Sequence, residues 1–142
     1  MARDPVVPVV RRSYGLCFLY FIGRAWDAAN EIERALEDDP LNLRWRFDLG
    51  FCLVGAGKEV EAVTELRRIL ELDENYYLAY IELAIIETVA GRPAEALALI
   101  EKAYALAPWL QGIIGVRAGL LIRTGDARRA LEIVQGLGGG RG

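Results

Sequence analysis

The side chains that most often carry out catalysis are scarce in this 142-residue chain. It contains no histidine, the residue that serves most often as a general acid or base near neutral pH. Ser13 is its only serine, so a serine nucleophile activated by histidine cannot form. Two cysteines, Cys17 and Cys52, fall short of the four Cys or His ligands of a structural zinc site. We therefore predict that the chain is not an enzyme and has no metal site and no cofactor.

One short stretch is similar to a phosphate-binding loop. Residues 55–58 read Gly-Ala-Gly-Lys, but the motif requires glycine where Cys52 stands and Ser or Thr where Glu59 stands. The glycine-rich stretch 136–142 follows no strand and precedes no helix, and it indicates a flexible end. Neither stretch predicts a nucleotide site.

An internal repeat with a period of about 34 residues organises the chain. Four glycines recur at this constant interval, and an alanine follows each of them at a constant distance. The pairs are Gly23 and Ala28, Gly57 and Ala62, Gly91 and Ala96, and Gly125 and Ala130. A period of this length is typical of two short helices joined by a turn, which bury their apolar faces against the neighbouring pair. Glycine suits the end of the first helix, Pro93 and the predicted N-cap Asp126 suit the start of the second, and alanine lets the two backbones approach.

Other positions keep the same register. A compact site in the first helix holds Leu16, Gly50, Ala84 and Ala118, and an aliphatic site in the second holds Ile32, Leu66, Ile100 and Val134. Pro40 and Pro108 share the exit position. The pattern resembles the tetratricopeptide repeat (TPR) family, and the arrays of large bacterial regulatory proteins in particular. The resemblance implies an all-α, right-handed superhelical α-solenoid of four helix-turn-helix repeats and about eight helices: a leader at 1–8, repeats at 9–42, 43–76, 77–110 and 111–138, and a flexible tail at 139–142.

Composition narrows the partners. The net charge is −3 and the basic residues are scattered, which disfavours nucleic acid. The most apolar run, 14–22, is too short to span a bilayer and lacks a clear cleavage site as a signal peptide, so we predict no membrane insertion. Two buried thiols in a reducing compartment are the favoured state of Cys17 and Cys52, with a disulfide between them the weaker alternative. We predict a cytoplasmic chain.

The resemblance implies that the first helix of each repeat lines a concave groove that binds protein or peptide. The residues that it assigns to the groove are Tyr14, Cys17, Tyr20, Phe21, Phe47, Asp48, Phe51, Val54, Leu78, Ile81, Glu82, Ile85, Gly112, Gly115, Val116, Gly119 and Arg123. Their apolar and aromatic character predicts an apolar peptide or an amphipathic helix as the guest. The alternative is an architectural segment or homo-oligomer, whose groove or end faces are covered by another copy or by other domains of a larger protein.

Charged residues in the repeat give three further predictions. Asp48 and Glu82, at the same groove site in successive repeats, either receive a Lys or Arg of a ligand or are solvated or paired with Arg44. Glu87 and Arg117 stand at normally apolar positions, so we expect them to pair with each other. TPR domains that bind the acidic carboxyl terminus of chaperones carry cations at defined groove sites. The corresponding residues here include Ser13, Cys17 and Asp48, so the resemblance does not extend to that activity.

Overall fold

The computed structural model describes residues 7–139, and their side chains as far as residue 136. Within that range the chain forms eight α-helices and no strand, which confirms the predicted all-α fold. The helices are α1 (Pro8–Tyr14), which continues as a π-helical segment (Gly15–Leu19), α2 (Ala25–Asp38), α3 (Leu43–Gly55), α4 (Glu59–Leu72), α5 (Tyr77–Val89), α6 (Pro93–Leu106), α7 (Gln111–Arg123) and α8 (Ala127–Gly139). The predicted leader and tail lie outside the described residues, except for residues 7 and 8 and for Gly139 at the end of α8. Because α8 extends to Gly139, the prediction of a flexible end for 136–142 is wrong for residues 136–139.

A turn of the same geometry joins the two helices of each of the four pairs. Gly23, Gly57, Gly91 and Gly125 have φ values of 83°, 74°, 80° and 91°, a region that only glycine enters at no steric cost. The residue after each glycine donates its backbone N–H to the carbonyl five residues earlier, as Arg24 does to Leu19 at 2.9 Å. This bond satisfies a carbonyl that the end of the helix leaves open. The repeated glycines thus fix the four helix ends, as the sequence predicts.

The chain divides into two compact units, residues 1–74 and residues 75–142. We call them the first unit and the second unit. In the first unit α2 packs between α1 and α3, and α4 packs on α3; in the second unit α5, α6, α7 and α8 pack each on the next. Each unit therefore consists of two helical hairpins.

Small and aliphatic residues of both helices of each pair form the core. The four alanines that follow the turns are all buried. Ile32, Leu66 and Ile100 are completely buried as well, and each stabilises the fold by about 1.5–3 kcal/mol. Val134, which has the same repeat position in α8, is 54% exposed.

The π-helical segment changes the register of the first helix. A Cβ on Gly15 would lie 2.9 Å from the carbonyl oxygen of Ala28 and 3.4 Å from Ile32. Gly50 meets the matching residues of α4, Leu66 and Ala62, so Gly15 is its counterpart, and the prediction of Leu16 for this compact site is wrong. Gly15 lies eight residues before its turn glycine and Gly50 only seven. The wider π turn accommodates the extra residue.

Residues before Gly15 are shifted with it by one position. Arg11 of α1 forms an ion pair with Glu31 of α2 at 2.6 Å. Arg46 of α3 forms the corresponding pair with Glu65 of α4 at 2.8 Å. Glu31 and Glu65 are separated by one repeat period, whereas the separation of the two arginines is one residue longer, which again shows the inserted residue.

Two of the charged-residue predictions have clear outcomes. Asp126 caps α8, because its carboxylate accepts the backbone N–H of Arg129 at 3.2 Å, as predicted. The predicted pair of Glu87 with Arg117 is wrong. Glu87 forms an ion pair with Arg92, and Arg117 forms one with Glu101 at 2.7 Å.

The guanidinium of Arg117 also lies over the ring of Tyr104, 4.4 Å from its centroid. Each charge of the predicted pair thus finds a partner closer along the chain.

Among the residues that the structure describes, no helix has the length and apolarity that crossing a membrane requires.

Candidate binding surface

Three aromatic rings of the first unit meet where the π-helical segment ends. The rings of Tyr20 and Phe51 lie 4.9 Å apart between centroids, and Phe21 stands edge-on to Tyr20 at 6.2 Å. Gly55 makes room for them, since a Cβ there would lie 2.7 Å from the Tyr20 ring. We call Tyr20, Phe21 and Phe51 the aromatic cluster. The structure thus brings together three residues that the sequence assigned to the groove.

The aromatic cluster is open to solvent on one side. Phe21 is 82% exposed, and Tyr20 and Phe51 are partly buried. Phe47 and Val54, which the sequence placed beside them, are also partly buried. Exposed aromatic rings that are held by their neighbours are typical anchors of protein interfaces, because little conformational entropy is lost when they are covered.

Tyr14 and Cys17 are exposed but do not join the aromatic cluster through any ring contact that the described residues show. Tyr14 stacks instead on Phe18, with centroids 5.5 Å apart. Because of the one-residue shift, Tyr14 corresponds to Leu49 of α3 and not to Asp48, so its place in the helix differs from the predicted one. Phe18 was not among the predicted residues.

The shift also places Arg12, and not Ser13, at the position of Phe47. From there its guanidinium reaches Asp48, with Nη2 2.7 Å from Oδ2. Arg44, one turn earlier in α3, approaches Oδ1 at 3.5 Å. The Asp48 side chain is only 3% exposed, so its charge is already neutralised within the first unit. This corrects the interpretation of Asp48 as a ligand receptor and supports the alternative pairing with Arg44.

The two cysteines are both free thiols in different surroundings. Burial, with a smaller contribution from the Asp48 charge, raises the pKa of Cys52 to about 12, although Arg12 acts in the opposite direction. Cys52 is therefore an inert core thiol. Cys17 is exposed, so the prediction of two buried thiols is right for Cys52 and wrong for Cys17.

In the second unit the predicted residues of α5 share one face of the helix. Leu78, Ile81, Glu82 and Ile85 stand three or four residues apart, the spacing of neighbours on a helix surface. Leu78 and Ile81 are partly buried, and Ile85 is exposed. Ile81 and Val116 pack against the core of this unit.

Glu82 is the exception on this apolar face. It is only 8% exposed, and burial raises the pKa of its carboxyl. Within the described residues no hydrogen bond and no ion pair reaches it.

The other predicted residues of the second unit lie on α7. Space is open around Gly112, Gly115 and Gly119, where an added Cβ would meet nothing within 4 Å. Arg123 is exposed at the last position of the helix. At these three glycine positions α7 has no side chain that could anchor a partner by packing.

Other surfaces of the described chain offer little chemistry. No group of three or more His, Cys, Asp or Glu side chains in the part that the structure describes could hold a metal ion. A shallow depression between α6, α7 and α8 is lined by Tyr104, Ile114, Arg117, Glu132, Ile133 and Gly136. Its arginine is already paired with Glu101. These residues lie outside the predicted site.

Comparison with known proteins identifies the fold. No known family model and no curated protein matches the sequence. Solved structures of TPR-like solenoid proteins do match the chain, which has their fold. MamA is 19% identical with a TM-score of 0.77, over 93% of this chain and 77% of that one. MamA from Desulfovibrio magneticus RS-1 is 17% identical with a TM-score of 0.75, over 90% and 72%.

PilW, described as a widely conserved type IV pilus biogenesis factor, is 22% identical with a TM-score of 0.80. The match covers 94% of this chain and 62% of PilW. The chain thus spans less than two thirds of PilW, and all three similarities concern the fold.

Proposed function

We propose that the chain is a non-catalytic protein–protein interaction module that binds an apolar peptide or an amphipathic helix on the exposed faces of its first-of-pair helices. The observation that carries this proposal is the aromatic cluster. Phe21 is exposed, its neighbours Tyr20 and Phe51 are packed against each other, and Tyr20 is packed against Gly55. A fixed, partly desolvated aromatic surface is what a helix-in-groove or peptide interface uses as its anchor.

Binding by Phe21 can be separated from stability. Peptides selected from a displayed library of amphipathic sequences are titrated by calorimetry into the wild type and Phe21→Ala. We expect the affinity to fall by about tenfold or more, because truncation of an interface anchor typically costs about 2 kcal/mol. The melting temperature should stay unchanged, since the Phe21 side chain is exposed.

Val60→Ala is the matched control. Val60 is 78% exposed on α4, a second-of-pair helix, and its truncation should change neither affinity nor stability. Equal affinity of Phe21→Ala and the wild type for every selected peptide would contradict the proposal, and so would a library that yields no binder.

We further infer that the chain is a member of the TPR family, from an array similar to those of bacterial regulatory proteins. The four glycine turns and the constant period between them support this inference. The two free thiols support a cytoplasmic location. The net charge of −3 supports a polypeptide rather than a nucleic acid as the partner. Fractionation of host cells with an antibody to the chain tests the location. Binding measurements with peptides, RNA and DNA test the class of partner. We expect peptide binding that persists at high salt and no binding of RNA or DNA.

Self-association is a second candidate function, and exposed apolar residues favour it. Val10, Tyr14 and Phe18 are spaced by one turn along α1 and its π-helical segment, and all are about half exposed. Leu131 and Val134 are likewise exposed on α8. Light scattering over a range of concentrations tests this candidate. A mass that rises with concentration in the wild type and stays monomeric in Phe18→Glu supports it, and a constant monomer mass contradicts it.

A further inference from the structure

The carboxylate of Glu82 is buried without a partner, which is costly for a charged group. The residue is 8% exposed, and no hydrogen bond or ion pair engages it within the described residues. A carboxylate taken from water without a compensating charge or donor loses free energy of hydration and gains nothing in return. A cation that reached this group would supply the missing compensating charge.

The oxygens of Glu82 remain within reach of a ligand. Among the described side chains, Nε of Arg46 is the polar atom that is both fully enclosed and without a hydrogen bond. The carboxylate oxygens of Glu82 also lack a hydrogen bond, so they must keep contact with solvent. Glu82 is thus largely buried, but its charged end keeps some contact with solvent.

The first unit shows which chemistry satisfies this position of the repeat. Asp48, one repeat period before Glu82, is bound by the guanidinium groups of Arg12 and Arg44. Arg44 stands one turn before Asp48, and Leu78 stands at the same place before Glu82. The second unit therefore keeps the carboxylate and lacks the cation on its own helix.

The apolar surroundings of Glu82 favour one kind of cation. Leu78, Ile81 and Ile85 lie on the same face of α5 and are partly buried or exposed. Lysine and arginine carry an aliphatic stem below the charged head group, so they can lay the stem on such a surface and bring the charge to the carboxylate. A metal ion is disfavoured here, because Glu82 belongs to no group of three or more His, Cys, Asp or Glu side chains among the described residues that could hold one.

We propose that Glu82 receives the cationic head group of a lysine or arginine from the bound polypeptide. This inference rests on the proposed function, and it specifies the partner as a segment with one basic residue flanked by apolar ones. The ion pair replaces the missing internal cation. Burial raises the pKa of the free carboxyl, which agrees with a site that gains by becoming neutral.

The test begins with peptides selected from the displayed library on the full wild-type chain, on Glu82→Gln and on the control Glu95→Gln. Glu95 is exposed in the first turn of α6, so its substitution removes the same charge from the second unit without touching the α5 face. We expect selection on the wild type and on Glu95→Gln to enrich Lys or Arg at one position between apolar residues. Glu82→Gln should lose this enrichment.

A matched peptide pair then measures the contact itself. A selected peptide and its analogue with norleucine in place of the basic residue are titrated into the wild type and Glu82→Gln. The analogue should bind the wild type roughly ten- to a hundredfold more weakly, the usual worth of a hydrogen-bonded charge pair. On Glu82→Gln the two peptides should bind alike. Thermal melts of both proteins exclude unfolding as the cause.

The outcomes separate this inference from the proposed function. Two results would overturn the role of Glu82 and leave the proposed function standing. Either the selected peptides bind through Phe21 but contain no enriched basic residue, or the norleucine analogue loses as much affinity for Glu82→Gln as it does for the wild type. Absence of any binder overturns both. Light scattering is run alongside. A dimer of the wild type that Glu82→Gln dissociates would assign the site to a second copy and overturn the separate partner.

Discussion

Asp48 in the first unit and Glu82 in the second stand at the same position of the repeat, yet their charges are balanced differently. Asp48 is held by Arg12 and Arg44, whereas no described group neutralises Glu82. The candidate surfaces of the two units differ as well, with an aromatic cluster in the first unit and glycines on α7 of the second. A repeat that keeps its backbone can therefore hold the same charge in an internal ion pair or leave it without one.

The largest expected effect on stability comes from removing the charge of Asp48, the carboxylate that is paired with two arginines. Asp48→Asn leaves the Arg12 guanidinium beside a neutral amide, and we expect the free energy of unfolding to fall by about 3 kcal/mol, as for other buried ion pairs that lose one partner. Urea denaturation measures this loss. If Asp48→Asn is as stable as the wild type, the charge of Asp48 is not needed for the fold and the contrast with Glu82 disappears.

Close packing should distinguish glycines of the two units. Gly15→Ala forces a methyl group against the Ala28 carbonyl oxygen and should lower stability by about 2 kcal/mol. Gly115→Ala meets open space in the middle of α7 and should raise stability by about 1 kcal/mol through helix propensity. Thermal unfolding of both variants gives the signs. A loss from both would show that α7 is as crowded as the π-helical segment.

Removal of the unbalanced charge should stabilise the protein, in contrast with Asp48→Asn. Glu82→Gln relieves an unsatisfied buried charge, and we expect a gain of roughly 1 kcal/mol at neutral pH. The pKa of Glu82 is raised in the folded chain, so the folded state binds its proton more tightly than the unfolded state. The stability of the wild type therefore falls as the pH rises from the ordinary glutamate pKa through the raised value.

The same linkage fixes the pH profile of the variant. The gain from Glu82→Gln should be complete above the raised pKa and should vanish below the ordinary glutamate pKa. Chemical denaturation at several pH values measures it. A gain that is independent of pH would attribute the effect to packing and not to charge.

The smallest expected effect is one that the two units share. Arg24 with Asp27 in the first unit, and Arg128 with Glu132 in the second, form ion pairs on exposed surfaces. A double-mutant cycle on each pair should give a coupling of about 0.5 kcal/mol or less that weakens further in salt. A large coupling in one unit alone would show that exposed charges also distinguish them.

The sequence predicts the backbone of each repeat better than its register before the turns. Glycines with positive φ, buried alanines and the cap at Asp126 depend on local geometry that one residue type satisfies, so their spacing was sufficient. The period between turn glycines does not show whether a helix before the turn contains an extra residue. The π-helical segment was therefore missed, although Gly15 lies eight residues before its turn and Gly50 only seven.

The candidate surface was predictable where it depends on apolar residues and not where it depends on charge. Tyr20, Phe21 and Phe51 come together as apolar residues at the end of the π-helical segment and on α3. The partners of Asp48, Glu87 and Arg117 depend on which long, flexible side chains lie within reach in the folded chain, and the sequence pattern does not specify this. Arg12 is one of the scattered basic residues of the sequence, and only the shifted register brings it to Asp48.

The extra residue between Gly15 and Leu19 has a consequence for anyone who aligns or redesigns this chain. An indel inside a helix usually rotates everything on one side of it by about 100°, the angle of one residue. Here that rotation is confined to the amino-terminal half of the first helix. A correct alignment of 8–14 with the later repeats therefore needs a gap within the helix. Without that gap, consensus substitutions would be introduced on the wrong face of α1.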